Sequence, residues 1–113
     1  MTKVTVTQSN DIITSLTLDG HTHYGVEGED IVCAGLSCVS QTAVLGIFAI
    51  AKVNAVVERD EKRGYLSITL PKNLSKEELH DTQVILKTAL LGISDLREGY
   101  SDFIELEVKH DVY

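Results

Sequence analysis

A chain of 113 residues with 43% hydrophobic and 24% charged side chains and a single proline can build one two-layer core but has no room for a second domain, so residues 1–113 are read as one domain. That composition excludes a disordered tail, and a net charge of −7 argues against direct binding to nucleic acid, whose phosphates require lysine and arginine. A basic protein or peptide is the better-matched partner. No stretch of about 18 residues is free of polar interruption, and the first residues, Met1 to Thr7, lack the apolar segment of a signal peptide, which points to a cytoplasmic protein with no membrane partner.

Residues 2–8 alternate Thr and Lys with Val, the period-two pattern of a strand with one buried face. Ser9, Asn10 and Asp11 supply turn chemistry. A second strand from Ile12 to Asp19 puts Leu16 and Leu18 on one face and ends at Gly20, so the two segments form a hairpin and His21 stands at a strand terminus. The run from Asp30 to about Ala51 is apolar on nearly all sides, with Ala34, Gly35, Ser37, Cys38 and Ser40 in its first half. It reads as a buried helix whose small residues allow close approach to the sheet or to another helix.

Val53 to Glu58 and Tyr65 to Leu70 read as two more strands, joined by the charged turn at residues 59–64. Leu66, Ile68 and Leu70 face one side of the return strand. Ser75-Lys76-Glu77-Glu78 has the form of a capping box, opening a second helix that Gly99 would stop. A last strand spans Asp102 to Lys109, with Ile104, Leu106 and Val108 alternating against acidic neighbours. The expected architecture is an α+β two-layer sandwich, a mainly antiparallel sheet with two helices in the order ββαββαβ. Tyr65, Phe103 and the small-residue helix face are expected to pack against a second copy in a symmetric homodimer.

The segment Gly20 to Ser40 holds both cysteines, two of the four histidines and four of the eight glycines, and any chemistry is expected there. Asp30 is suited to cap the following helix, which would set Ile31, Val32 and Cys33 in its first turn. The macrodipole and unpaired amides of a helix N-terminus favour a thiolate over a thiol. An imidazole such as His21 within reach of Cys33 would support acyl transfer, acting first as base and then as acid toward the leaving amine. Gly20, Gly25 and Gly28 would let the intervening loop act as a mobile gate over an extended peptide.

Alternatives stay open at this point. Cys33 could be an inert buried thiol. His21, His23, Asp30 and Cys33 could hold a metal, although the paired spacings of small zinc sites are missing and no metal or other cofactor is expected. Cys38, five residues on, is read as structural, and the two cysteines should not form a disulfide.

The arrangement from Gly20 and His21 through Asp30-Ile31-Val32-Cys33-Ala34-Gly35 resembles the signature of the bacterial ribosomal-processing cysteine proteases, and the length and element order of the whole chain are similar to theirs. The resemblance implies a catalytic dyad of His21 and Cys33 in a homodimeric cytosolic endopeptidase. Its substrate would be the N-terminal extension of a large-subunit ribosomal protein, the twenty-seventh of the bacterial series, cut after an aromatic residue. Asp30 matches the family's aspartate, as helix cap or as orienter of His21; Asp19 is a second candidate orienter. The rival reading is a non-catalytic ribosome-assembly module with a structural thiol.

Overall fold

The computed structural model describes residues 1–20 and 31–111, together with the backbone of residues 29 and 30. The elements are β1 (Thr2–Ser9), β2 (Ile12–Gly20), α1 (Glu29–Ala49), β3 (Val56–Asp60), β4 (Tyr65–Thr69), α2 (Lys76–Gly99) and β5 (Ile104–His110). The order is ββαββαβ, as expected. The five strands form one sheet in the order β3-β4-β2-β1-β5. Three of its pairings are antiparallel, and β5 lies parallel to β1 because α2 carries the chain back across the sheet.

Alternation sorts the sheet into two faces. Val4, Val6, Leu16, Leu18 and Ile68 are buried toward the helices, where they meet Val32, Leu36 and Ile47 of α1 and Leu86 and Ile93 of α2. The opposite face carries Lys3, Thr5, Thr17, Ser67, Glu105 and Glu107, pairing Lys3 with Glu107 at 3.1 Å. The hydrogen bond and charge of Glu107 raise the Lys3 ammonium above its ordinary value. A sheet covered on one face by helices and left polar on the other is the two-layer sandwich that the strand patterns required.

Tight turns hold the hairpins. Asn10 and Asp11 take left-handed backbone angles (φ 50° and 66°), as a two-residue hairpin turn demands, and short polar side chains tolerate this best. The β3–β4 turn uses Gly64 at φ +71°, where a Cβ would come within 3.3 Å of the Gly20 carbonyl oxygen. Both φ and space therefore call for glycine.

Helix α1 ends earlier than its apolar pattern suggests. Lys52 turns into the left-handed region (φ 56°), and the amide of Val53 then donates to the Ile47 carbonyl at 3.0 Å, satisfying a terminal acceptor. Ala51, Val53 and Ala55 are buried in the connection, so β3 starts at Val56 rather than Val53. The apolar alternation there comes from a packed linker without ladder bonds. Ile31–Ala49 has a mean hydropathy of 1.9 and is long enough to cross a membrane, but Val32, Leu36, Val44 and Ile47 are buried in the core, as expected of the central helix of a folded domain.

The small residues of α1 serve α2 of the same chain. A Cβ on Gly35 would meet Leu96 at 3.2 Å, one on Gly46 would meet Ile85 at 3.5 Å, and Gly92 faces Val39. That face is therefore filled within the chain, and Phe103 also packs on the core. The apolar surface left over is elsewhere: Ile31, Leu45, Phe48 and Ile50 on and just beyond α1, and Val84 and Leu91 on α2.

Helix α2 begins with the expected capping box. The Glu78 amide donates to Ser75 Oγ at 3.1 Å and the Ser75 amide donates to Glu78 Oε1 at 2.9 Å. Replacing Ser75 with Ala should cost about 1 kcal/mol, readable as a lower urea midpoint with an unchanged slope. The other end differs from expectation: Gly99 is helical, and the Tyr100 amide closes the helix on the carbonyls of Leu96 and Arg97, without a left-handed glycine. Midway, Gln83 reaches across to β2, its Oε1 accepting from the Ile13 amide at 2.7 Å and its Nε2 donating to the Ile13 carbonyl at 2.9 Å.

Candidate active site

Cys33 projects from α1 into a cavity of about 370 Å³ between that helix and the ends of β1, β2 and β4, at the lower end of the roughly 300–1,000 Å³ range of ligand pockets. Leu18, Leu36 and Leu66 supply apolar wall; Thr2, Ser37, Ser40 and Gln41 supply polar groups; Arg59, Asp60 and Glu61 form a charged rim. Cys33 is half-buried and Cys38 is exposed, and both are free thiols, so the absence of a disulfide is as expected. Gln41 Nε2 donates to Ser37 Oγ at 2.7 Å, and Ser40 Oγ donates to the Ser37 carbonyl at 3.2 Å, which fixes this polar wall one helical turn beyond the sulfur. Thr2 Oγ1 lies 3.8 Å from Cys33 Sγ.

Several expected site residues fall differently. Helix α1 already includes Glu29 and Asp30, so Asp30 lies in the first turn rather than capping it from outside. Acidic residues are favoured there by the helix dipole, which explains the earlier start. Cys33 is then the fifth residue of the helix, where the amide belongs to the i−4 ladder. The unpaired amides, the natural donors to an oxyanion, belong to the turn before the sulfur.

Gly20 is no loop hinge. It ends β2 in register with Thr2, and its amide donates to the Gly64 carbonyl at 2.9 Å. A Cβ at Gly20 would come 3.2 Å from Thr2 Oγ1, tight enough that the Thr2 side chain would have to shift. His21, His23, Gly25 and Gly28 lie outside the described residues, and with them the expected dyad contact, the His-x-His metal arrangement and the gating loop.

Beside the strand end that leads to His21, Arg63 Nη2 donates to Asp19 Oδ2 at 2.6 Å while its guanidinium stacks 4.8 Å above the Tyr65 ring. The hydrogen bond and charge of Asp19 raise the Arg63 guanidinium above its ordinary value. Asp19 Oδ1 is buried with no hydrogen-bond partner among the described residues. The β3–β4 turn is thus fastened to the end of β2 twice, through Asp19 to Arg63 and Gly20 to Gly64. In the sequence this segment reads only as a charged turn joining two strands. Its charges gave no sign that Arg59, Asp60 and Glu61 would border the cysteine's cavity, because that proximity depends on a strand order no local pattern encodes. Thr2 was legible only as an inward residue of β1; its approach to a sulfur 31 positions away was not.

A half-buried free thiol in the wall of a cavity that also carries polar groups is what the site of a thiol hydrolase requires. The comparisons with known proteins agree. The family model described as cysteine protease Prp matches residues 1–105, and the chain belongs to that family, the ribosomal-processing cysteine proteases. The Staphylococcus aureus ribosomal processing cysteine protease Prp is 31% identical over 97 residues, spanning 86% of this chain and 88% of the relative. Two crystal structures of the S. aureus protease cover 96% of this chain and 100% of their own. One, in complex with a substrate peptide, superposes with a TM-score of 0.85 at 28% identity. The other, with a covalently linked product peptide, gives 0.81 at 29%. The fold agrees throughout, and the protein is a cysteine protease; the non-catalytic module is set aside.

Proposed function

We propose that this protease removes the N-terminal extension of a large-subunit ribosomal protein, the twenty-seventh of the bacterial series, by cutting after an aromatic residue in the cytoplasm. The single observation that carries this is the position of Cys33 in the cavity of a chain that belongs to the ribosomal-processing proteases. A rim on which Asp60 and Glu61 outnumber Arg59, and a net charge of −7, suit the basic tail of a ribosomal protein, and the apolar wall of Leu18, Leu36 and Leu66 suits an aromatic side chain.

His21 and Cys33 form the dyad in this reading. The Cys33 thiolate attacks the scissile carbonyl, and the C–N bond breaks as the His21 imidazolium protonates the leaving amine. Water, deprotonated by His21, then attacks the thioester; the C–S bond breaks, releasing the extension as a carboxylate and restoring the thiolate. Asp30, in the first turn of α1, adds negative charge where the helix dipole welcomes it. It supports the helix start, and Asp19 is the candidate orienter of His21, since its Oδ1 is an acceptor with no donor among the described residues.

The test is to mix the protein with the extended ribosomal protein and follow it by mass spectrometry. Wild type should shorten the substrate at one bond following an aromatic residue, His21→Ala should not, and an intact substrate with wild type would overturn the assignment.

The same reading holds that the protease works as a homodimer. Ile31 (66% exposed) and Leu45 (67%) on α1, Ile50 (75%) just beyond it and Leu91 (72%) on α2 leave apolar side chains uncovered, the kind of surface a second copy buries. Leu45→Lys should halve the mass seen by light scattering at micromolar concentration without unfolding the chain. A wild type already monomeric there would contradict it.

A further inference from the structure

We propose that Thr2 is a positioning residue for the nucleophile, its hydroxyl donating a hydrogen bond to the Cys33 sulfur; this rests on the reading of Cys33 as nucleophile. Thr2 is 5% exposed, and its Oγ1 stands 3.8 Å from Sγ. The other inward residues of β1, Val4 and Val6, are fully buried hydrocarbon. A valine at position 2 would have nearly the same shape without a hydroxyl to desolvate. Among the described residues, the hydrogen-bond contact that hydroxyl makes is with the cysteine.

The surroundings hold that oxygen in place. The Thr2 amide donates to the Phe103 carbonyl at 2.8 Å, and its backbone is flanked by Gly20 on one side and Ile104 on the other. Gly20 has no side chain to occupy the space taken by Oγ1. A thiol can either donate to a hydroxyl or accept from it, whereas a thiolate only accepts. Ionisation of the sulfur therefore fixes Thr2 as donor. The bond is strongest while the sulfur is ready to attack and weakens once it becomes the neutral sulfur of a thioester, so Thr2 holds the attacking rotamer and then releases it.

The test compares Thr2→Val and Thr2→Ala, which lack the hydroxyl, with Thr2→Ser, which keeps it. Iodoacetamide alkylation of Cys33 is followed across pH by peptide mass, with Cys38 as internal control, and kcat and KM are measured separately on the extended ribosomal protein. The hydroxyl-free variants should alkylate about tenfold more slowly near neutral pH, the difference closing at high pH where the sulfur is ionised in every variant. Their kcat should fall with KM unchanged, and Thr2→Ser should stay near wild type in both. Identical alkylation profiles for Thr2→Val and wild type, or a Thr2→Ser variant as impaired as Thr2→Val, would overturn the proposal. Because alkylation needs no substrate, a wild type that fails to cut the ribosomal protein sinks the substrate reading alone, and the alkylation profiles still decide the role of Thr2.

Discussion

Cys33→Ala should lower cleavage of the ribosomal extension by at least about a thousandfold while leaving thermal stability nearly intact. Removing the nucleophile from a cooperating pair costs as much as removing the pair, because the partner has nothing left to activate. The stability half of the expectation follows from burial. Cys33 is half-buried on a cavity wall, so losing one sulfur atom enlarges an existing space open to solvent and opens no void in packed hydrocarbon. Cys33→Ser should be equally inactive, since a hydroxyl is a far weaker nucleophile near neutral pH than a thiol. Parallel loss of activity and of several degrees in Tm would mean the sulfur was packing material. Cys38→Ala, on the exposed side of the same helix, should cut at the wild-type rate.

The largest expected effect on stability lies far from that cavity. Gln83, 9% exposed, satisfies both the amide and the carbonyl of Ile13, acting as one rung of a strand that is not there. The register of β1 against β2 shifts between Thr7 and Gln8, so the backbone near Ile13 departs from the regular ladder. Gln83→Ala would leave two buried backbone groups without partners, at about 1–3 kcal/mol each, and would add a cavity under α2. A loss of roughly 3–5 kcal/mol, a large share of the stability of a domain this size, should lower Tm by more than 10 °C. Gln83→Glu tests the geometry, because a carboxylate can still accept from the amide but offers the Ile13 carbonyl no donor. It should fall between the two. A Gln83→Ala protein within 2 °C of wild type would mean that water replaces both bonds at no cost.

What the sequence disclosed, and what it withheld, follows from the range of the forces involved. The Ser75–Glu78 capping box, the hairpin turn at Asn10 and Asp11, and the inward alternation of Leu66, Ile68 and Leu70 are set by neighbours a few residues apart, and each was legible. Helix α1 starts at Glu29, two residues before the expected Ile31, because Glu29 and Asp30 are both acceptable in a first turn. β3 was begun three residues early because Ala51, Val53 and Ala55 are buried by the core, and burial imitates strand alternation without a partner strand. The glycines of α1 announced close packing but not its object, which is Leu96 and Ile85 of α2. At the candidate site the thiol and its cavity-facing helix could be read, whereas Thr2 and the Arg59 to Gly64 turn could not. Both reach Cys33 through the sheet order β3-β4-β2-β1-β5, a long-range result of folding.

Cleavage in this mechanism passes through a covalent bond between the substrate and one sulfur, and intact-mass spectrometry of an acid-quenched reaction observes it directly. Mixing wild type with a slight excess of the extended ribosomal protein should give a transient species heavier than the enzyme by the acyl mass of the released extension, located on the peptide containing Cys33. Cleavage that proceeds with no adduct on that peptide, and that persists in Cys33→Ala, would contradict the account.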